Sequence, residues 1–267
     1  MRLGMSTGGF IRGPIGDALP LIAGAGVRLL EISTWKPHFD LTDQGQVSSL
    51  RGALAWWGLE VWSLHSPFAW GAELGSPDPD NRQAALHMAE AAARVTAMLG
   101  GRVLVHHPLE ANLPAGDPGL RDRLAWAADS LARVREGCEA LGILLAVEGM
   151  LPHLAGGRPG ELAALTAGLG EAGWGYCLDT SHAALSAEGV VGWIRFMGPR
   201  LTLVHASDNR GRDDDHLPPG QGDIDWAQVS RVLAETGYAG PFILELNPAH
   251  VAHLDLVVAE ARRLLAL

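Results

Sequence analysis

A closed parallel α/β barrel of eight βα units is the fold class that this 267-residue sequence predicts, and three observations predict it. Short apolar runs alternate with alanine- and leucine-rich segments of helical period. The runs are too apolar for a sheet with one wet face, as strands covered by helices on a closed sheet would be. Their ends also differ in a directional way: the carboxyl ends carry carboxylates and imidazoles, the amino ends mostly Gly, Arg or apolar residues. A doubly wound open sheet is the competing arrangement. It is disfavoured because no glycine fingerprint for a dinucleotide follows the first strand, where Gly8, Gly9 and Phe10 lead to Gly13 and Pro14. No linker, short repeat or low-complexity segment divides the chain, so residues 1–267 are expected to form one (β/α)8 TIM barrel domain.

In order, Arg2–Ser6 is the first strand and a helix is expected near Ile15–Ala25. Val27–Ser33 precedes a helix near Asp43–Trp57, which Gly58 follows. Leu59–His65 precedes a helix near Asp80–Leu99, with Asp80 as its cap and Gly100 after its end. Arg102–His107 leads to Pro118–Leu141, for which Asp117 and Pro118 make a suitable start. Gly142–Glu148 is followed by Gly160–Glu171, then Gly175–Asp179 by Gly189–Met197. Arg200–Ala206 is followed by an amphipathic run at Asp225–Thr236, ended by Gly237. Pro241–Leu246 and Ala252–Leu265 complete the eight units.

Composition excludes some functions. The formal charge is -10 and Lys36 is the only lysine, which argues against general attraction to nucleic acid or to an anionic membrane. Cys138 and Cys177 are the only cysteines and lie far apart, so neither a disulfide framework nor a thiolate zinc knot is expected. The first ten residues lack an apolar signal core, and no run reaches the roughly 20 apolar residues of a membrane span. A soluble cytoplasmic protein is the resulting expectation. The apolar outer helix Ala252–Leu265 is compatible with a homo-oligomer and equally with packing on the barrel.

Chemistry in such a barrel sits at the carboxyl ends of the strands. Read in turn, those ends are Ser6, Glu31, His65, His106–His107, Glu148, Asp179, His205 and Glu245. A carboxylate such as Asp179, closing the apolar run Tyr176–Cys177–Leu178, is costly unless a cation or a donor network receives it. The alternative for this stretch is an Asp-Thr-Ser helix start in which Asp179 or Ser181 is a cap. Glu148, Asp179, His205 and Glu245 come from four successive strands and would converge on one ion. Imidazole and carboxylate ligands without thiolate suit zinc or manganese. His65, His107, His182, Asp214 and His216 remain as possible further metal or substrate ligands, Asp214 and His216 as an Asp-X-His pair after the seventh strand. Alternation lets only one of His106 and His107 face inward. His38, His87, His153, His250 and His253 fall on loops or helices and are read as structural.

The segments VHASDN (204–209), DDHLPPGQGDIDW (214–226), CLDTSHA (177–183) and HSPF followed by ELGSPDPDNR (65–68, 73–82) resemble the xylose-isomerase-like TIM barrel superfamily. The resemblance runs from the first strand to the last. That superfamily has a sugar (phosphate) isomerase and epimerase branch and an apurinic-site endonuclease branch with a trinuclear zinc cluster. The resemblance implies that Glu148, Asp179, His205 and Glu245 are the common metal ligands. His65, His107, His182, Asp214 and His216 match the additional ligands of the endonuclease branch, His107 being preferred because it directly precedes Pro108. In the isomerase branch a residue such as His182 holds substrate hydroxyls instead, so one to three ions remain open.

Two mechanisms follow from one constellation. In the first, a small sugar or sugar phosphate is isomerised or epimerised by proton transfer through a metal-stabilised enediolate. Glu148 and Glu245 then act as base and acid, His182 and His65 orient hydroxyls, Arg210 and Arg212 pair with a phosphate or carboxylate, and Trp35, Phe68 and Trp70 cover an apolar sugar face. The alternative is a trinuclear-zinc endonuclease or related phosphodiester hydrolase, with nucleic acid as its partner. The acidic balance and few basic residues on the strand-end loops (Arg12, Lys36, Arg210, Arg212) favour the sugar. A non-catalytic sugar- or metal-binding barrel is the third reading. The presence of Glu148, Asp179 and Glu245 together argues for activity.

Overall fold

The computed structural model describes residues 1–68 and 71–266 of the chain. Its eight strands pair in parallel, each with its neighbours in sequence: β1 (Leu3–Ser6), β2 (Leu29–Ser33), β3 (Glu60–His65), β4 (Val103–His106), β5 (Leu144–Glu148), β6 (Trp174–Asp179), β7 (Leu201–Ala206) and β8 (Phe242–Leu244). Pairing of β1 with β8 closes the cylinder. Helices α1 (Ile15–Gly24), α2 (Gln44–Trp57), α3 (Pro79–Met98), α4 (Leu120–Ala140), α5 (Pro159–Thr166), α6 (Thr180–Ala184), α7 (Gly189–Met197), α8 (Trp226–Glu235) and α9 (Leu254–Leu264) lie between and after the strands. The fold is the expected single-domain (β/α)8 TIM barrel. Among the described residues no helix is long and apolar enough to cross a membrane.

Period-two alternation gives the strands two cores. Leu30, Ile32, Leu64, Leu104, Val147 and Leu178 pack in the main core with the helices. Leu29, Val103, Val105, Ala146, Cys177, Leu203 and Ile243 form a separate cluster that fills the cylinder. One further step of two along those interior rows reaches Glu31, His107, Glu148, Asp179, His205 and Glu245. The interior is therefore apolar below and polar at its carboxyl-terminal mouth.

Several boundaries differ from expectation for local reasons. Asp78, not Asp80, caps α3 by accepting the Asp80 N–H at 3.0 Å. Pro79 lacks an N–H and suits the first helical position, so α3 starts before Asp80. Asp117 accepts the Gly119 N–H at 2.8 Å in a local turn, and α4 begins only at Leu120. The fifth helix stops at Thr166 rather than at Glu171, ahead of Gly168 and of Gly170 at φ 75°. A short α6 follows β6 directly, the helix start that the Asp-Thr-Ser alternative expects, with Asp179 as its cap. The buried residues of α9, Leu254, Val257, Val258 and Ala261, all belong to the main core, so that apolar stripe is used within the chain.

Candidate metal centre

Strand register assembles the centre. Glu148 pairs with Cys177 across β5 and β6, and Asp179 pairs with His205 across β6 and β7. Glu245 follows β8 and donates its backbone N–H to the Ala206 carbonyl at 3.4 Å. The four side chains Glu148, Asp179, His205 and Glu245 each offer one ligand atom, and these atoms lie within 4.8 Å of one another. His205 Nδ1 stands 2.9 Å from Glu245 Oε2 and 3.5 Å from Glu148 Oε1.

The two oxygens of Asp179 have different surroundings. Its Oδ1 accepts the His182 N–H at 2.9 Å and caps α6. Its Oδ2 is buried and has no hydrogen-bond partner. Burial pushes the Asp179 carboxyl up to about 6, opposed by His182 and His216 and reinforced by Glu245 and Asp214. A cation at Oδ2 would hold this acid ionised. Burial also raises Glu148, but His205 and His107 outweigh it and hold that carboxylate well below its ordinary value.

Two groups flank this centre. On one side His65 Nε2 lies 3.1 Å and His107 Nε2 3.4 Å from Glu148 Oε2. Despite the opposing effect of burial, Glu148 and Glu110 raise His107 to about 9. On the other side His182 Nε2 is 3.4 Å and His216 Nε2 3.1 Å from Asp214 Oδ2. One ligand atom each from Asp179, His182 and His216 again lies within 4.8 Å of the others. His216 adopts φ 45°, a conformation that costs a non-glycine residue about 1 kcal/mol. Its Nδ1 is 3.1 Å from the Glu245 carbonyl, which ties the loop after β7 to the end of β8.

That loop is long, and one buried acid organises it. Asp208 accepts the N–H groups of Gly220 at 2.9 Å and Ile224 at 3.1 Å, and the Trp226 indole N–H at 2.9 Å. Gly222 packs directly on it: a Cβ there would lie 2.3 Å from Asp208 Oδ1 and from the Asn209 carbonyl oxygen. Asn209 in turn donates to the Ser181 carbonyl at 2.7 Å.

The donor set fits a divalent cation. Asp179 Oδ2 and His205 Nδ1 are buried without hydrogen-bond partners although other ligand atoms converge on them, as lone pairs around a shared ion would. Cys177 lies below, near Glu148 and His205, and burial drives its thiol well above the ordinary value.

Two cavities open from the centre. One of about 310 Å³ runs past His65, His107, His182 and His216 to an apolar wall of Met150, Leu151 and Leu154. The other, about 190 Å³, is bounded by Ser6, Ser33, Trp35 and Asn247. Phe68 borders both, its ring 5.1 Å from that of His65 and 4.7 Å from that of His107.

Nine of the twelve expected site residues therefore meet at one mouth: Glu148, Asp179, His205, Glu245, His65, His107, His182, Asp214 and His216. Trp35 lines the smaller cavity beside them. Arg210 and Arg212, which follow the buried Asp208–Asn209 pair, are exposed and line neither cavity. Trp70 lies outside the described residues. His107 rather than His106 reaches Glu148; both line a further cavity of about 170 Å³, and His106 lines neither of the two at the centre. Glu31 was visible as a strand-end acid, yet nothing local marked it as the partner of His205, which it meets at 3.0 Å. Asp208 was likewise hidden within the VHASDN segment.

A profile of the xylose isomerase-like TIM barrel family matches residues 19–266. The chain is 25% identical over 208 residues to a D-psicose 3-epimerase of Ruminiclostridium cellulolyticum, covering 75% of this chain and 68% of that protein. A crystal structure of a D-tagatose 3-epimerase-like protein superposes with a TM-score of 0.86 at 22% identity, covering 100% of this chain and 98% of that one. A probable endonuclease 4 of Mycobacterium leprae is 40% identical over 81 residues, 27% of this chain and 32% of that protein. With several further curated relatives the match spans 23% to 26% of their length.

Proposed function

Because the chain belongs to the xylose isomerase-like TIM barrel family, we propose that it is a divalent-metal-dependent epimerase or isomerase of a small sugar. The observation that carries this reading is the set Glu148, Asp179, His205 and Glu245, whose ligand atoms gather within 4.8 Å at a mouth that opens into two small cavities. Among the described residues neither cavity is lined by lysine or arginine, which favours an unphosphorylated sugar over a sugar phosphate.

A bound zinc or manganese ion would polarise the substrate carbonyl as a Lewis acid, making the adjacent C–H acidic. Glu148 and Glu245, which both line the larger cavity, are the bases able to remove that proton and return it. His182 lines the larger cavity and orients hydroxyls there. Trp35 and Phe68, with ring centroids 5.7 Å apart, offer an apolar wall for the face of the sugar.

One observation favours a hydrolase as the second reading. His65–His107–Glu148 and Asp179–His182–His216 are additional groups of metal-binding size, so three positions are available. Phosphodiester hydrolysis would use them all, while the absence of lysine and arginine from the described cavity linings weighs against a polyanionic substrate.

Incubation with a panel of free ketoses in deuterated water, after loading with zinc or manganese, separates the two. The expected result is deuterium at the carbon beside the carbonyl together with formation of an epimer or isomer, reduced at least about 100-fold in Glu245→Gln without loss of fold. Absence of exchange with every ketose, combined with three tightly bound ions and cleavage of abasic DNA, would reverse the assignment.

A further inference from the structure

We propose that Glu31 is a positioning residue for the cation site, selecting the tautomer of His205 that leaves Nδ1 free to bind metal. The inference rests on the reading of Glu148, Asp179, His205 and Glu245 as ligands. His205 is fully buried and has a carboxylate at each ring nitrogen: Glu31 Oε2 at 3.0 Å from Nε2, and Glu245 Oε2 at 2.9 Å from Nδ1. A neutral imidazole has one N–H to place. On Nδ1 it would point among the ligand oxygens and close the site to a cation; on Nε2 it donates to Glu31 and leaves the Nδ1 lone pair available.

The geometry distinguishes the two. Nε2 and Glu31 form a hydrogen bond, whereas Nδ1 has no hydrogen-bond partner in spite of its shorter distance to Glu245. Glu31 is itself held in place. Its Oε2 accepts the Ser63 hydroxyl at 2.8 Å, and a register shift at Leu30/Glu31 pairs Glu31 with Ser63 across β2 and β3. Glu31 is fully buried and lines neither mouth cavity, so it acts through His205 and not on a substrate. A carboxylate behind a ligating histidine also makes the metal-facing nitrogen more basic.

The test measures zinc affinity of the metal-stripped full chain by competition with a chromophoric chelator, beside its thermal unfolding without metal. Glu31→Gln keeps an acceptor for Nε2–H but loses the charge, and should bind zinc about tenfold more weakly than wild type. Glu31→Leu loses both, frees His205 to protonate Nδ1, and should bind about 100-fold more weakly. That graded loss, in variants whose metal-free unfolding stays near wild type, supports the proposal. Zinc affinity of Glu31→Leu within twofold of wild type overturns it; if that variant does not fold, the same result for Glu31→Gln does so. A wild-type chain that binds no zinc removes the ligand reading itself, an outcome separate from failure of Glu31 alone.

Discussion

At the residue scale, His106 and His107 show how one position decides a side chain's role. His107 continues the interior row Val103–Val105 and reaches Glu148 Oε2 at 3.4 Å. His106 continues the row of Leu104, which packs with the helices, and its Nδ1 is buried without a partner. Burial, with repulsion from His107 and His65, lowers His106 to about 4 from 6.5. The unfolded chain therefore takes up this proton near pH 6.5 while the folded chain resists it until about pH 4. This contribution to stability is complete above pH 6.5 and is lost as pH falls towards 4, to an extent on the order of 3 kcal/mol. Urea unfolding of the metal-stripped protein should weaken less between pH 7.5 and 5 in His106→Gln than in wild type. Equal slopes would show that His106 does not carry that dependence.

At the scale of elements, the loop between β7 and α8 does what no strand end could. It brings Asp214 and His216 back over Asp179 and His182, and its shape depends on Asp208. The isolated antiparallel bridge between Asp208 and Leu217 closes one half, and the Gly220, Ile224 and Trp226 donors close the other. Asp208→Ala leaves the buried Trp226 indole N–H and the less buried Gly220 and Ile224 N–H groups without their acceptor and should destabilise the protein by about 3 kcal/mol. It should also slow any turnover that needs His216, since the loop loses its anchor while Glu148, Asp179, His205 and Glu245 stay on strand ends. Calorimetry and ketose turnover of the zinc-loaded variant check both parts: unchanged unfolding temperature would contradict the role given to Asp208.

At the scale of the whole molecule, the cylinder concentrates acids and imidazoles in one buried mouth, and a cation there would couple opposite sides of the barrel. Zinc at 100 times its dissociation constant would add about 2.7 kcal/mol. For a chain of this size that corresponds to a rise of roughly 5–10 °C in unfolding temperature on adding zinc to chelator-treated protein. No shift would mean that the mouth holds no tight cation. The sequence by itself determined the fold class and most of the mouth, because strand period and strand ends are local properties: Glu148, Asp179, His205 and Glu245 could be read off the ends of apolar runs, and the HLPPGQG segment marked the loop that follows β7. Tertiary structure alone decided which groups act together. Glu31 and His205 are 174 residues apart and become partners only through closure of the barrel. Arg210 and Arg212 sit on the expected loop yet turn to solvent. Side-chain partnership across a cylinder depends on register and closure, and neither is encoded in the spacing of one strand.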